Sequence, residues 1–280
     1  MIAPGFYTAS QLPIDTYHAD PGSVSQSGLK KINQSPAHFK AYADGLIDSK
    51  QTKGMFIGTA LHAAALEPEV FEQQYIIAPE SFKTRAAAGL KRWKEEQDPA
   101  LIVLMHHEAE KVFKMRESLH SHPWVGPRLR GATCEYSCFA EDPETGIVCR
   151  IRCDMITSNG MILDLKKTQD CRDEALAKSI GNYGYHVQNA FYMDVPAWLG
   201  EGYTPEGFAF IFIEEEAPHA IAVRFLDPDD VERGRTEYRR LLNIYAKCLE
   251  NDSWPGYSDS PSVISLPGYL RNKIDLMNGE

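Results

Sequence analysis

Apolar positions along the 280-residue chain follow two rhythms. In several stretches they recur three or four residues apart, the period of a helix with one buried face. VSQSGLKKINQSPAHFKAYADG reads as helical, capped by Ser25 or Ser27, interrupted at Pro36 and closed at Gly45. KGMFIGTALHAAALEP reads as a buried helix that stops at Pro68, and HHEAEKVFKMRESLHSHP as an amphipathic one ending before Pro123. YGYHVQNAFYMDVPAWLG predicts a further helix, and PDDVERGRTEYRRLLNIYAKCLEN a long closing one.

Elsewhere the pattern predicts strands. YIIAP is a short one. GATCEYSCFAED, GIVCRIRCDMI and GMILDLKKT are three in succession, joined at the turn-forming DPETG and TSNG. GFAFIFIEEE and HAIAVRFL predict a hairpin. SFKTRAAAGLKRWKEEQ is either a basic helix or a loop followed by a helix. The first 25 residues, rich in Pro, Gly, Ser and Asp, read as irregular, within a helical lead-in that runs to about residue 50. This order predicts one α/β domain over residues 1–280, with a central mixed sheet flanked by helices.

Composition narrows the class. A hydrophobic content of 43% suffices for a sizeable core. The AFIFI run is far too short to span a bilayer. MIAPGFYTAS has neither a basic nor an apolar signal region, so the expectation is a cytoplasmic protein without a membrane partner. The net charge of −10 argues against a broadly basic nucleic-acid surface, yet it does not describe a local groove. Cys134, Cys138, Cys149 and Cys153 form two C-x3-C pairs on predicted strands. Four residues of strand span ~13 Å, too far for one metal ion to bridge a pair. Reduced thiols packed on a sheet face are the expectation.

The chemistry concentrates in RIRCDMITSNGMILDLKKT, residues 150–168. Side chains alternate along a strand, so Asp164 and Lys166 share a face. A three-residue loop at Ser158–Asn159–Gly160, with the glycine left-handed, pairs Thr157 with Met161 and sets Asp154 opposite Asp164. Paired positions bring Cβ atoms within ~5.5 Å, and two carboxylates there repel unless a cation lies between them. Mg²⁺ suits oxygen ligands that leave room for phosphate, and a nearby lysine can orient water or stabilise developing charge. Asp-x-Lys alone is common on surfaces, as is a core histidine or an aromatic at helical spacing. Here the hairpin comes with Gly58 and His62 one turn apart in GTALH, and with Gln188 and Tyr192 one turn apart in YHVQNAFY.

This combination resembles the PD-(D/E)XK nuclease superfamily in its RecB-like branch, which carries G-x-x-x-H, D, (D/E)-x-K and Q-x-x-x-Y in that order. Asp164 stands where many members have Glu. YHADPGSVSQSGLKKINQSPAHFK, FIGTALHAAALEP, IIAPE, EDPETGIVCRIRCDMI, YHVQNAFY and DSWPGY resemble RecE-type exodeoxyribonuclease VIII nuclease domains. The resemblance implies a restriction-endonuclease-like core and two Mg²⁺ ions per active site, with Mn²⁺ as a substitute. It implies processive 5′→3′ digestion of double-stranded DNA ends, leaving 3′ overhangs for recombination by single-strand annealing. It further implies a ring-shaped homo-oligomer, trimer or tetramer, and an annealing partner of the RecT type. By the same resemblance, Asp154, Asp164, the Leu165 carbonyl and His62 are metal ligands. Lys166 positions or activates water, and Gln188 and Tyr192 hold Lys166, the strand or the phosphate.

Other candidates come from the residues alone. Glu135 is either an outer acid of the site or a strand-edge charge. Arg150 and Arg152 share the face of Asp154 and either bind phosphate or neutralise the carboxylates. Lys83, Arg85, Lys91 and Arg92 are either a solvated helix face or a lid on the DNA backbone. Three rival functions remain: a Cas4-like single-strand exonuclease with an iron–sulfur cluster, a catalytically silent DNA-binding subunit, and an unrelated metal-dependent hydrolase of small phosphate esters, which the lack of a His-x-Asp run or a nucleotide-binding glycine loop disfavours. The cysteines do not flank the core on both sides as the first requires, and the loss of lysine or aspartate expected of the second has not occurred.

Overall fold

The fold is built around a sheet that splits in its middle. A computed structural model describes residues 1–47, 53–200, 202–258 and 260–278, and the expected end of the lead-in near residue 50 lies outside them. The chain opens with β1 (Gly5–Tyr7), α1 (Ile14–Ala19) and β2 (Val24–Ser25), then the paired helices α2 (Gln26–Gln34) and α3 (Pro36–Ala43). The Ser25 side chain accepts from the Gly28 N–H and that of Ser35 from the His38 N–H, so each serine starts a helix. Next come α4 (Lys53–Leu66), α5 (Pro68–Gln74), β3 (Tyr75–Ile77), α6 (Leu90–Glu95), β4 (Ile102–Leu104), α7 (His106–Ser121) and α8 (Val125–Gly131). The meander β5 (Thr133–Glu141), β6 (Val148–Ile156) and β7 (Met161–Thr168) follows. α9 (Asp173–Tyr183) and α10 (Tyr185–Ala197) then cross over to β8 (Gly207–Glu214) and β9 (Ile221–Arg224), before α11 (Pro228–Asn251) and α12 (Gly268–Asn278).

The main sheet runs β1-β5-β6-β7-β8-β9 and is mixed: β7 and β8 are parallel, as their helical crossover demands, and the other neighbours on this path are antiparallel. β6 and β7 pair only at Met155–Leu163 and Ile156–Ile162. Farther along β6, its other neighbour is β2, which pairs in parallel at Cys149 and Arg150. The sheet therefore opens between β6 and β7, and the first residues of the chain fill the edge beyond the gap.

Helices cover both faces. α2, α10 and α11 pack over Cys138, Cys149, Ile151, Cys153 and the Phe208–Phe210–Phe212 row, whereas α4, α5, α7 and α8 pack over Leu163, Leu165, Ile211 and Ile213. Burial alternates strictly along β6, yet the buried row passes from the first layer to the second between Cys153 and Met155. The strand coils sharply there, and Asp154 sits at the crossing. Three of the four paired cysteines are buried core thiols and Cys134 is half-buried; all six cysteines are free. No helix among the described residues is long and apolar enough to cross a membrane.

The N-terminal residues correct the expectation of an irregular lead-in. β1 and β2 are sheet strands, and Phe6 stacks on Tyr136 with centroids 5.3 Å apart. Strands of two or three residues are too short to show a period of two. β4, α1, α8 and α9 were likewise not predicted from the pattern.

α10 is held to α11 by a close backbone approach at Gly234. A Cβ there would stand 2.2 Å from the His186 carbonyl oxygen and 2.9 Å from the Val187 nitrogen. Neither neighbour is a side chain that can rotate away. Gly234→Ala is expected to push α10 outward and cost about 2 kcal/mol of stability, measured by denaturant unfolding. A stability equal to the wild type would show that this approach does not fix α10.

Candidate active site

The loop between β6 and β7 sets the register. Gly160 takes φ +82°, and the Thr157 N–H donates to the Met161 carbonyl at 2.9 Å. Continuing the observed count places Asp154 across from Asp164, as the sequence predicts. The backbones no longer pair there. Instead the Asp154 carboxylate occupies the opening, and the Leu165 N–H donates to its Oδ2 at 2.7 Å. On the other side, Cys134 pairs with Met155 and Tyr136 with Cys153, which leaves Glu135 opposite Asp154. Three carboxylates thus stand in a row across β5, β6 and β7.

Glu135 is held in a backbone conformation that side chains avoid. Its φ is +51°, in the left-handed region, inside an otherwise regular strand. Arg152 Nε donates to its Oε2 at 2.7 Å, and the same guanidinium reaches the Leu12 carbonyl and the Ser137 hydroxyl. Of the two roles for Arg152, neutralising the carboxylates matches its position.

Asp164 is 2% exposed. Gln188 Nε2 donates to its Oδ1 at 2.5 Å, and Lys166 Nζ lies 2.5 Å from its Oδ2. The buried Oδ2 is thus ion-paired with the Lys166 ammonium. Lys166 also stands 5.2 Å from the centroid of the Tyr185 ring.

His62 projects from α4 into the same opening. Its Nε2–H donates to the Leu165 carbonyl at 2.8 Å. Burial, reinforced by the charge of Lys166, lowers its pKa, so the ring is neutral and Nδ1 carries the lone pair. Nδ1 lies 3.6 Å from Asp154 Oδ2, beyond hydrogen-bond range. In its ionised form the Asp154 carboxylate and this lone pair therefore face each other as two electron-pair donors.

Burial, with Asp164 and Glu135 nearby, holds the Asp154 carboxyl well above the usual carboxylate range. Burial also raises Glu135, against the opposing pull of Arg152. Burial alone pushes Lys166 down, but Asp164 and Asp154 outweigh it and leave the ammonium raised. Lys166 is thus a charged donor at neutral pH.

One atom each from His62, Glu135 and Asp154 lies within 4.8 Å of the others. An imidazole lone pair facing a carboxylate oxygen, and carboxyls held above their range, fit a divalent cation. The donors are one imidazole and carboxylate oxygens, a set that Mn²⁺ or Mg²⁺ accepts. This group contains no cysteine, which leaves the described residues without a cluster for iron and sulfur. Two cavities meet at the site. One of about 580 Å³ is lined by His62, Leu165, Lys166, Gln169, Tyr183 and Tyr185. The other, about 810 Å³, runs from His62 and Glu135 along α4 to the N-terminal segment, including His18.

The remaining predicted residues fall in three places. Tyr192 lines a smaller recess with Asp154, Glu135 and Arg152 and packs edge-on against Phe208, so it borders the carboxylates. Arg150 corrects the expectation of a phosphate ligand. Its Nη1 donates to the Asp20 and Ser23 carbonyls, and it ties the N-terminal segment to β6. Arg85 is also committed elsewhere, on buried Glu108 at 2.6 Å and over the Phe56 ring. Lys91 and Arg92 on α6 make exposed pairs with Glu95 and Glu96, the arrangement of a solvated helix face, and Lys83 pairs with Glu80 in the loop before it. Tyr183, Tyr185 and His18, which the sequence pattern does not single out, also line the two cavities, and Lys167 pairs with Glu215.

The family described as "PDDEXK-like domain of unknown function (DUF3799)" matches residues 25–266. No curated protein matches the chain. A crystal structure from Eubacterium rectale, described as a candidate exonuclease, is similar with a TM-score of 0.63 at 12% identity, over 94% of this chain and 98% of that one. A phage-related exonuclease from Haemophilus somnus 129PT aligns at 15% identity over 82% of this chain and 96% of that one, but its TM-score of 0.33 carries no argument. At these identities the likeness shows the fold.

The raised carboxyls fix a sign for stability. A carboxyl whose folded pKa exceeds its unfolded value stabilises the folded chain below about pH 4, and that contribution is lost as pH rises through the folded value. Asp154→Asn keeps an acceptor for the Leu165 N–H and removes the charge. In EDTA at about pH 8 it should be more stable than the wild type by on the order of 1 kcal/mol, with the gain vanishing near pH 4. Asp154→Ala should gain less, because it strands the Leu165 N–H. A pH-independent difference, or a less stable Asp154→Asn protein, would contradict the assignment of strain to this row.

Proposed function

Because this chain belongs to the PDDEXK-like domain family, we propose that it is a divalent-metal-dependent nuclease that degrades DNA from its ends. The observation that carries the reading is the row of Glu135, Asp154 and buried Asp164 converging with His62 on the opening beside Lys166. His62, Glu135, Asp154 and Asp164 would hold the ion or ions, Mg²⁺ with Mn²⁺ as substitute. When bound, the metal supplies Lewis-acid stabilisation of the charge that develops on a phosphoryl oxygen.

The protein's own groups account for the rest. Lys166, held protonated, places positive charge where a phosphate enters the cleft and donates to its oxygens. It is not a general base at neutral pH in the metal-free protein. Gln188 is a positioning residue: it fixes one oxygen of Asp164 and so aims the other. Arg152 does the same for Glu135. His62 holds the Leu165 carbonyl and keeps the β7 backbone at the site. Glu135, Asp154 and His62 thereby stay within reach of one ion at the cost of mutual repulsion when no ion is present.

The finer parts of the proposal rest on the resemblance to RecE-type nucleases: double-stranded ends, 5′→3′ processive digestion, 3′ overhangs for annealing, a ring of three or four copies and a RecT-type partner. The test is an end-labelled duplex carrying a 5′-phosphate or 5′-hydroxyl, with single strands as controls, in Mg²⁺, Mn²⁺ or EDTA. The expected outcome is metal-dependent release of nucleotides from 5′ ends. Asp154→Asn, Asp164→Asn and Lys166→Met should each lose more than about 100-fold in kcat, in keeping with the loss of one preorganised electrostatic contact. Wild-type turnover in any of the three would reject the site, and digestion from 3′ ends would reject the polarity.

A further inference from the structure

Two tyrosines that the carboxylate chemistry does not use line the Lys166 cavity. α9 ends at Tyr183, and Gly184, at φ +69°, turns the chain so that α10 starts at Tyr185. The left-handed glycine brings side chains two positions apart into a stack, with centroids 5.6 Å apart and planes inclined by 29°. Tyr185 stacks in turn on Phe210 of β8 at 5.3 Å, and Lys166 Nζ stands 5.2 Å from its ring. It is therefore anchored in the core and borders the site. Tyr183 is the outer ring, 57% exposed. Lys30 fixes its backbone by donating to the Tyr183 carbonyl at 3.1 Å, and the same ammonium lies 5.8 Å from the ring centroid.

A single exposed tyrosine is ordinary surface. This one belongs to a fixed stack of three rings and shares the cavity of about 580 Å³ with His62, Leu165 and Lys166. The ammonium groups of Lys30 and Lys166 flank the two rings, whereas Lys167 is held in an ion pair with Glu215. Rigid aromatic faces flanked by cations hold single strands: rings stack on bases and ammonium groups meet phosphates. A base within a duplex has both faces covered and a terminal base has one, so a platform beside the phosphate that enters the cleft takes a base that has left the stack.

We propose that Tyr183 and Tyr185 form a stacking platform for an unpaired DNA base next to the phosphate that enters the Lys166 cleft. The strand is then taken in after its terminal base has left the duplex, and DNA with frayed or single-stranded ends is the preferred substrate class. This rests on the nuclease reading above.

The test uses oligonucleotides with 2-aminopurine at the terminal unpaired position, bound to the full-length protein in Ca²⁺, alongside cleavage in Mg²⁺. Stacking quenches the base fluorescence. Wild type and Tyr183→Phe should quench it equally. Tyr183→Ala should lose most of the quenching and raise both Kd and KM by roughly tenfold, with the effect on KM rather than kcat. Wild-type quenching and KM in Tyr183→Ala would overturn the platform. So would a Tyr183→Phe protein as impaired as the alanine variant, since that points to the hydroxyl rather than the ring. A wild type that cuts DNA without quenching the base overturns the platform and leaves the nuclease reading intact; one that neither binds nor cuts overturns both.

Discussion

The structure depends on one compromise between like charges and backbone pairing. Where β6 and β7 would continue their ladder, Asp154 and Asp164 come opposite each other, and the strands part. The Asp154 carboxylate then does the work of a backbone acceptor by taking the Leu165 N–H. That single hydrogen bond closes the opened ladder and keeps a charge at the centre of the sheet. It also frees the Leu165 carbonyl from pairing with β6, and His62 takes it. Without the opening, His62 on α4 and Gln188 on α10 could not approach the same strand from opposite layers.

The surrounding structure holds this arrangement against its own repulsion. β2 restores pairing to β6 beyond the gap, and Arg150 and Arg152 bind the N-terminal segment across it. Glu135 completes the carboxylate row only by adopting a left-handed backbone, a cost that surrounding structure must offset. Burial strengthens every charge interaction here, the favourable Lys166–Asp164 pair and the unfavourable carboxylate contacts alike. A divalent cation is the partner that turns the second kind into the first.

Much of this was legible in the sequence for a physical reason. Gly160 in a three-residue loop fixes a hairpin count, and the count alone places Asp154 across from Asp164. Helix periodicity likewise puts Gln188 on the inner face of α10, where it meets Asp164. What the sequence left open depended on contacts far apart in the chain. Arg85 looks like a free cation until α7 brings Glu108 to it. Arg150 looks like a phosphate ligand until residues 20–23 fold back onto β6. The sheet membership of β1 and β2 and the left-handed Glu135 have no local signature, because short strands show no period and a strained φ is imposed from outside. The Tyr183–Tyr185 stack needed a left-handed Gly184 that the pattern placed inside a helical run.

The carboxylate row is a cation site in which burial and neighbouring charge hold the Asp154 and Glu135 carboxyls above the usual range without metal. Calorimetric titration of Mn²⁺ into the metal-free protein, repeated near neutral pH in buffers of different ionisation enthalpy, measures the protons released on binding. Ligands must be deprotonated to bind, so the account predicts binding with net proton release, smaller in Asp154→Asn and with weaker affinity. Binding without proton release, unchanged in Asp154→Asn, would place the metal elsewhere and contradict the account.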